Sequence, residues 1–307
     1  MAAGGESPRV GFIGIGNMGW PMAANLARAG RDLVIFDVDR ERARRFAQEH
    51  GAEAAATLAG LGRAVDLVIT MLPTGQIVRH VMLEMEEGGL AAALPAGALV
   101  VDMSSSDPLG TQELGAALAK RGIGLVDAPV SGAVPRARDA TLTIMIGGDD
   151  KAAIERAKPV LSAMGNRFFE TGPLGSAHAM KALNNYVAAA GLAAACEALI
   201  AGRRFGLDGA AMVDVMNVSS GRNFSTEMFL KHLVADPDYA PGFALALMAK
   251  DIKIAADLAE GLDLDLPMLR FTDERWRKAV RTVGGEKDNM IVYRLWDEEA
   301  GRDTGQA

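Results

Sequence analysis

The chain has 307 residues, half of them hydrophobic, with a formal net charge of -7, a size that suits two domains with ample core. That balance lacks the basic excess of a nucleic-acid face, and one cysteine, Cys196, excludes an intramolecular disulfide and suits a reducing, cytoplasmic compartment. Aromatics are scarce while Ala, Gly and Met are common, which favours close helix packing over a sandwich of bulky strands.

The N-terminal stretch MAAGGESPR lacks the apolar centre of a secretory signal. From there the pattern alternates between short apolar runs and amphipathic segments. Strands are predicted at Val10–Gly14, Asp32–Phe36, Asp66–Thr70, Ala98–Met103, Gly124–Ala128, Leu142–Gly148 and Arg167–Glu170. They are apolar throughout rather than alternating, as parallel strands covered on both faces read. Helical segments between most of them give repeated β-α units, hence an α/β fold with an N-terminal Rossmann domain, a doubly wound parallel sheet.

After Gly172 the strand signal stops and a C-terminal all-α domain is expected. Helical patterns follow, broken at Gly206–Gly209, Ser219–Gly221 and Asp236–Gly242, the first running from Ser176 to about Phe205. The boundary is placed near Gly172–Pro173, giving a dinucleotide-binding domain over 1–172 and a substrate and oligomerisation domain over 173–307. The longest apolar run, Tyr186 to Cys196, is mostly Ala and too short for a membrane span. It reads as a helix buried on nearly all sides, partly by a second subunit of a homodimer or homotetramer.

Gly14, Gly16 and Gly19 form G-x-G-x-x-G between an apolar strand and an amphipathic helix that ends at Gly30. In that context the motif is a dinucleotide cradle. Gly14 allows the tight turn, Gly16 admits a pyrophosphate, and Gly19 permits close packing of helix on strand, with Asn17 and Met18 at the helix N-terminus. Asp37 ends the second strand, 18 residues after Gly19. An acid there accepts from ribose hydroxyls and repels a 2′-phosphate, favouring NAD over NADP. Arg40, Arg42, Arg44 and Arg45 are the opposing signal, read as a solvated helix face.

Four separated motifs extend the reading. They are G-F-I-G-I-G-N-M-G at Gly11–Gly19, D-A-P-V-S-G at Asp127–Gly132, G-S-A-H-A-M-K-A-L-N-N at Gly175–Asn185 and K-D at Lys250–Asp251. In order and spacing the chain resembles the β-hydroxyacid dehydrogenase family, which includes 3-hydroxyisobutyrate dehydrogenases and tartronate semialdehyde reductases and is 6-phosphogluconate dehydrogenase-like. The resemblance implies that Met71, Leu72 and Pro73 line the nicotinamide riboside and that Ser105 touches the cofactor. It implies a carboxylate cradle at Ser131, Gly132 and Ala133, the last standing where the family often has Gly. It also implies that Lys181 is the catalytic lysine, Asn185 its partner, and Lys250 a lysine that closes over cofactor and substrate.

The residues themselves agree. Lys181 and Asn185 are four apart in a helical segment and share one face. Hydride removal from an alcohol needs a base for the hydroxyl proton, and lysine serves if burial or a cation such as Lys250 lowers its pKa. His178 is the rival base, read here as a polar residue at the cleft edge. Arg222 in S-S-G-R could pair with a substrate acid group or make a structural ion pair. The expected activity is hydride exchange between NAD and a small 3-hydroxy acid, 3-hydroxyisobutyrate first, with tartronate semialdehyde reduction as the alternative. A catalytically silent NAD-binding protein is the competing class, opposed by retention of Lys181, Asn185 and Lys250. No metal site, nucleic acid or membrane is expected.

Overall fold

The structure is a computed structural model that describes residues 8–301; segments 1–7 and 302–307, and with them nearly all of the N-terminal MAAGGESPR, lie outside the described residues. The chain divides into two compact units, Met1–Lys181 and Ala182–Ala307.

The first unit holds a nine-stranded sheet: β1 (Val10–Ile13), β2 (Leu33–Phe36), β3 (Glu53–Ala54), β4 (Leu67–Thr70), β5 (Leu99–Asp102), β6 (Gly124–Asp127), β7 (Val130–Ser131), β8 (Leu142–Gly147) and β9 (Gly165–Gly172). Strand order is β3-β2-β1-β4-β5-β6-β8-β7, with β9 paired to β8. The ladder from β3 to β6 is parallel, with Val10 opposite both Leu33 and Leu67. Strand β8 then runs antiparallel to β6 and β7, and β9 parallel to β8. The sheet is therefore mostly parallel, with one reversal near its edge.

Its helices are α1 (Gly19–Arg28), α2 (Arg40–His50), α3 (Leu58–Ala64), α4 (Gly75–Leu83), α5 (Met85–Gly88), α6 (Pro108–Ala119), α7 (Ala133–Arg138) and α8 (Lys151–Leu161). Each strand alternates its side chains between two cores, which is why no polar face appears in the sequence. Val10, Phe12, Leu33, Ile35, Leu67, Ile69, Leu99 and Val101 meet Met22, Leu26, Phe46 and Val160 of α1, α2 and α8. Ile13, Val34, Phe36, Val68, Val100 and Leu125 meet Leu58, Leu61, Val78, Leu114 and Leu118 of α3, α4 and α6. Each such side chain contributes about 1.5–3 kcal/mol on burial.

Helix α9 spans Ser176–Phe205, as the sequence predicts, and its first residues belong to the first unit. The second unit adds α10 (Gly209–Val218), a π-helical turn at Thr226–Leu230, α11 (Lys231–Ala235), α12 (Leu245–Gly261), α13 (Pro267–Val283) and α14 (Ile291–Gly301). Its core joins Leu192, Cys196 and Leu199 of α9 to Ile252 of α12, Trp276 of α13 and Trp296 of α14, the two indoles meeting edge to face at 5.8 Å.

Within the chain, α9 is buried along one face, through Ala182, Asn185, Ala189, Leu192, Cys196 and Leu199, while Leu183 and Val187 are exposed. A small helical unit covers about half the circumference of its central helix. The whole helix, unlike the run Tyr186–Cys196, is long and apolar enough to cross a membrane by length and composition, and 39% of its most apolar window is buried. Its regular buried stripe in the helical core is the pattern of a core helix.

Candidate active site

Turns at the carboxyl ends of β1, β2, β4, β5 and β6 carry most of the predicted residues, where ligands bind in such sheets. Gly14 has φ +91° and its N–H donates to Phe36 O at 3.0 Å; an added Cβ would sit 2.5 Å from Met71 O. At Gly19 a Cβ would lie 1.9 Å from Gly14 O, whereas Gly16 faces open space with nothing within 4 Å. The first and third glycines thus close the turn on itself, and the second leaves a bare backbone for a ligand.

Helix N-termini support this. Asp39, Asp107 and Asp150 cap α2, α6 and α8 through their side chains. Helix α1, which opens behind the glycine turn at Asn17 and Met18, has no side-chain cap and no acid in its first turn. A phosphate is a partner that such an end accommodates. A cleft of about 680 Å³ opens beside Gly16 and Asn17, flanked by Arg28, Arg42, Arg45 and Arg138, so the locality is basic in an acidic chain. These features fit a dinucleotide.

Asp37 is buried. Its Oδ2 accepts from Ile15 N at 2.9 Å and its Oδ1 from Asp39 N at 2.9 Å, with Arg42 Nη1 3.7 Å away. A carboxylate has about four acceptor positions, so two backbone bonds aim the group while leaving capacity for ribose hydroxyls.

On the other side of β1, Leu72 N donates to Ser104 Oγ at 2.9 Å, joining the Met71–Pro73 loop to the Ser104–Ser106 loop. Asp102 organises the second loop. It accepts from Thr70 Oγ1 (2.9 Å), Ser104 N (3.0 Å) and Ser106 Oγ (2.7 Å). Ser105 sits between these anchors, half-buried.

Ser131 ends β7, and Gly132 (φ +137°) and Ala133 (φ +54°) follow. A left-handed alanine is strained, by about 1 kcal/mol or more, so the turn keeps a shape suited to glycine while carrying a methyl group. Asp127 at the end of β6 is fully buried and accepts from Gly175 N, Ala177 N and His178 N, each at 2.9 Å. It caps α9 from a distant strand and so fixes the first turn of the helix that carries Lys181, itself half-buried.

In the second unit, Asn185 is buried and its Nδ2 donates to Asp251 Oδ2 at 2.5 Å, while its Oδ1 accepts from Asn184 Nδ2 at 3.2 Å. Lys250 Nζ lies 3.1 Å from Asp251 Oδ1. Asp251 therefore joins Asn185 to Lys250 within that unit.

Comparison with known proteins identifies the family. Residues 9–172 match the family described as the NAD binding domain of 6-phosphogluconate dehydrogenase. Residues 175–296 match that described as NAD-binding of NADP-dependent 3-hydroxyisobutyrate dehydrogenase. The chain is 34% identical over 297 residues to a 2-(hydroxymethyl)glutarate dehydrogenase of Eubacterium barkeri, covering 96% of this chain and 97% of that one. It is 34% identical over 300 residues to an NAD-dependent L-serine dehydrogenase of Pseudomonas aeruginosa, covering 96% and 99%. A solved 3-hydroxyisobutyrate dehydrogenase of Mycobacterium tuberculosis with L-serine superimposes with a TM-score of 0.87 at 32% identity, covering 94% and 99%. The chain belongs to the β-hydroxyacid dehydrogenase family. It is an NAD-dependent oxidoreductase of hydroxy acids.

Within this β-hydroxyacid dehydrogenase, one reading changes and one open alternative is filled. His178 is no cleft-edge residue: its side chain is fully buried, because the first turn of α9 is sealed over the ends of β5 and β6. Arg222 makes the structural alternative, with Nε 3.1 Å from Glu227 Oε1. Asp102, Asp127 and Asp251 were missed. The signal for the first two was an acid closing an apolar strand, the same signal that marked Asp37.

Proposed function

We propose that this β-hydroxyacid dehydrogenase oxidises a small 3-hydroxy acid of the 3-hydroxyisobutyrate type to its aldehyde acid. The observation that carries the reading is the pinned first turn of α9, with Asp127 holding the amides just before Lys181. The glycine turn, Asn17, Met18 and Asp37 would hold NAD, with Met71, Leu72, Pro73 and Ser105 lining the same site, and NAD would supply the hydride acceptor. Ser131 Oγ and the amides of Gly132 and Ala133 hold the substrate carboxylate. Lys181 Nζ takes the hydroxyl proton as the carbinol carbon gives up its hydride. Asn185, one turn further on, keeps one amide hydrogen and one lone pair beyond its bonds to Asp251 and Asn184, enough to orient the hydroxyl. Lys250, steadied by Asp251, offsets the carboxylate charge.

This reading assigns cofactor binding to 1–172 and substrate binding and assembly to 173–307. It places the enzyme in the cytoplasm, where the lone buried Cys196 stays reduced. The uncovered side of α9 pairs with a second copy in a homodimer or homotetramer. No nucleic acid or membrane takes part.

An absorbance screen tests the substrate class. NAD is offered with 3-hydroxyisobutyrate, glycerate, L-serine, threonate and 2-(hydroxymethyl)glutarate. The highest kcat/KM is expected for 3-hydroxyisobutyrate. Preference for a second carboxylate or an amino group by more than about tenfold, a difference of about 1.4 kcal/mol, would overturn the choice of substrate.

A further inference from the structure

One buried ionisable side chain has no part in the chemistry above. His178 is enclosed on all sides, and three polar side chains face its ring. Its Nδ1 is 2.8 Å from Thr111 Oγ1, whose own hydrogen goes to Asp107 O at 2.8 Å. The hydrogen between ring and hydroxyl therefore belongs to Nδ1. Its Nε2 has no hydrogen-bond partner among the described residues and faces Asp102 Oδ2 at 3.7 Å. Asp127 Oδ2 is 3.9 Å from Nδ1 and already holds the His178 backbone N–H. The charged groups facing the ring are thus Asp102 from β5 and Asp127 from β6, while α6 presents Thr111.

These contacts bracket one loop. Asp102 stands at the start of Ser104–Ser106 and anchors Ser104 and Ser106. Asp107 stands at its end, caps α6 through Leu109 N and Gly110 N, and receives Thr111. His178 bonds to Thr111 beyond one end and packs 3.7 Å from Asp102 at the other. Through Ser104 Oγ and Leu72 N the link continues to Met71–Pro73. A buried imidazole with an unmatched nitrogen costs stability that an apolar side chain of similar size would not.

We infer that His178 is a positioning residue that ties the Ser104–Ser106 loop, on the nicotinamide side, to the helix turn carrying Lys181. Ordering of the loop by NAD then reaches the lysine through a rigid buried link. The inference rests on the reading of Lys181 as the base.

The test compares the wild type, His178→Gln, which can still donate to Thr111, and His178→Leu, which cannot. Hydrogen exchange across 175–182 is measured with and without NAD, alongside NAD binding and turnover. His178→Leu should bind NAD within about 3-fold of wild type, a change under about 1 kcal/mol. Its kcat should fall at least tenfold, and the slowing of exchange that NAD produces across 175–182 should vanish. His178→Gln should retain both. Thr111→Val removes the acceptor from the other side and serves if His178→Leu does not fold.

The inference is overturned if His178→Leu keeps the NAD-dependent protection, or if His178→Gln loses as much as His178→Leu. Lys181→Ala separates the two claims. It should abolish turnover yet preserve the protection. An active Lys181→Ala enzyme would sink the assignment of the base and leave the exchange result to decide on His178.

Discussion

Asp127 offers the sharpest test of how the fold presents its lysine. Its two oxygens accept three backbone amides, those of Gly175, Ala177 and His178, in a site with no solvent exposure. Asp127→Asn conserves shape but turns one oxygen into a donor. In the better of the two amide orientations, Gly175 N–H faces an NH2 group and is orphaned, at a cost of about 1–3 kcal/mol. The remaining two bonds pass from charge-assisted to neutral, losing about half their strength. The sum is roughly 2–5 kcal/mol, a large part of a total stability of about 5–15 kcal/mol. At about 2–4 °C per kcal/mol for a unit of this size, the melting temperature should drop by roughly 6–12 °C for a 3 kcal/mol loss. Asp127→Ala orphans all three amides and should fall further. Calorimetry of the protein without ligand gives both values. A shift below about 2 °C for Asp127→Asn, under about 1 kcal/mol, would refute the cap, and with it the account of how α9 is fixed.

Other expectations follow from the same geometry. Asp37→Ser should weaken NAD by about 1.5–3 kcal/mol, roughly 10- to 100-fold, as charged hydrogen bonds are lost, and raise NADP relative to NAD; a parent enzyme with higher kcat/KM for NADP would contradict the role of Asp37. Lys181→Ala should lower kcat by at least ~10²-fold with NAD binding nearly intact, and Lys181→Arg should rescue little because guanidinium holds its proton; steady-state kinetics beside NAD titration decides. Burial, and secondarily Glu197, push the Cys196 thiol up to about 12, against an opposing pull from Arg275. Iodoacetamide at pH 8 should therefore label the unfolded chain and spare the native one. Because the folded thiol lies above its unfolded value of about 8.5, its stabilising contribution is complete below that pH and is lost as pH rises towards 12. Light scattering at micromolar concentration should give a dimer or larger, since Leu183 and Val187 are exposed on the open side of α9; a monomer would contradict the assembly.

Much of this was legible in the sequence. The apolar runs that became β1, β2, β4, β5 and β6 were visible because burial on both faces removes polar alternation. The two-residue strands β3 and β7 were not, because two residues carry no period. Nothing in Leu-Thr-Ile-Met-Ile-Gly says that β8 runs against β6: direction is set by the connection, and only α7 and a short turn separate β7 from β8. The limits of α9 were clear from Ser176 and Gly206, but its half-open circumference was not, since a run of Ala reads the same whether neighbours come from the same chain or another. Gly14, Gly16 and Gly19 announced a cradle through backbone demands that few other residues meet. Asp251 stayed hidden beside Lys250, because its partner Asn185 is 66 residues away.

Three aspartates show why one was recognised and two were passed over. Asp37, Asp102 and Asp127 follow or close β2, β5 and β6, and all three are buried at the carboxyl end of the sheet. That end gathers loops and helix N-termini, hence unpaired N–H groups, and a short acid just past the strand is the side chain best placed to accept from them. The first takes two amides and keeps acceptor capacity. The second takes one amide and two hydroxyls, and the third takes three amides. Spare capacity is thus what separates a ligand-binding acid from a structural one here. The glycine turn revealed Asp37 because the two occur at a known spacing. Asp102 and Asp127 act on side chains and amides that the chain supplies from other elements, so their roles appear only once the strands are aligned. The same count leaves Asp37 two acceptor positions but Asp102 and Asp127 one each, and the buried ring of His178 lies 3.7 Å from the one and 3.9 Å from the other.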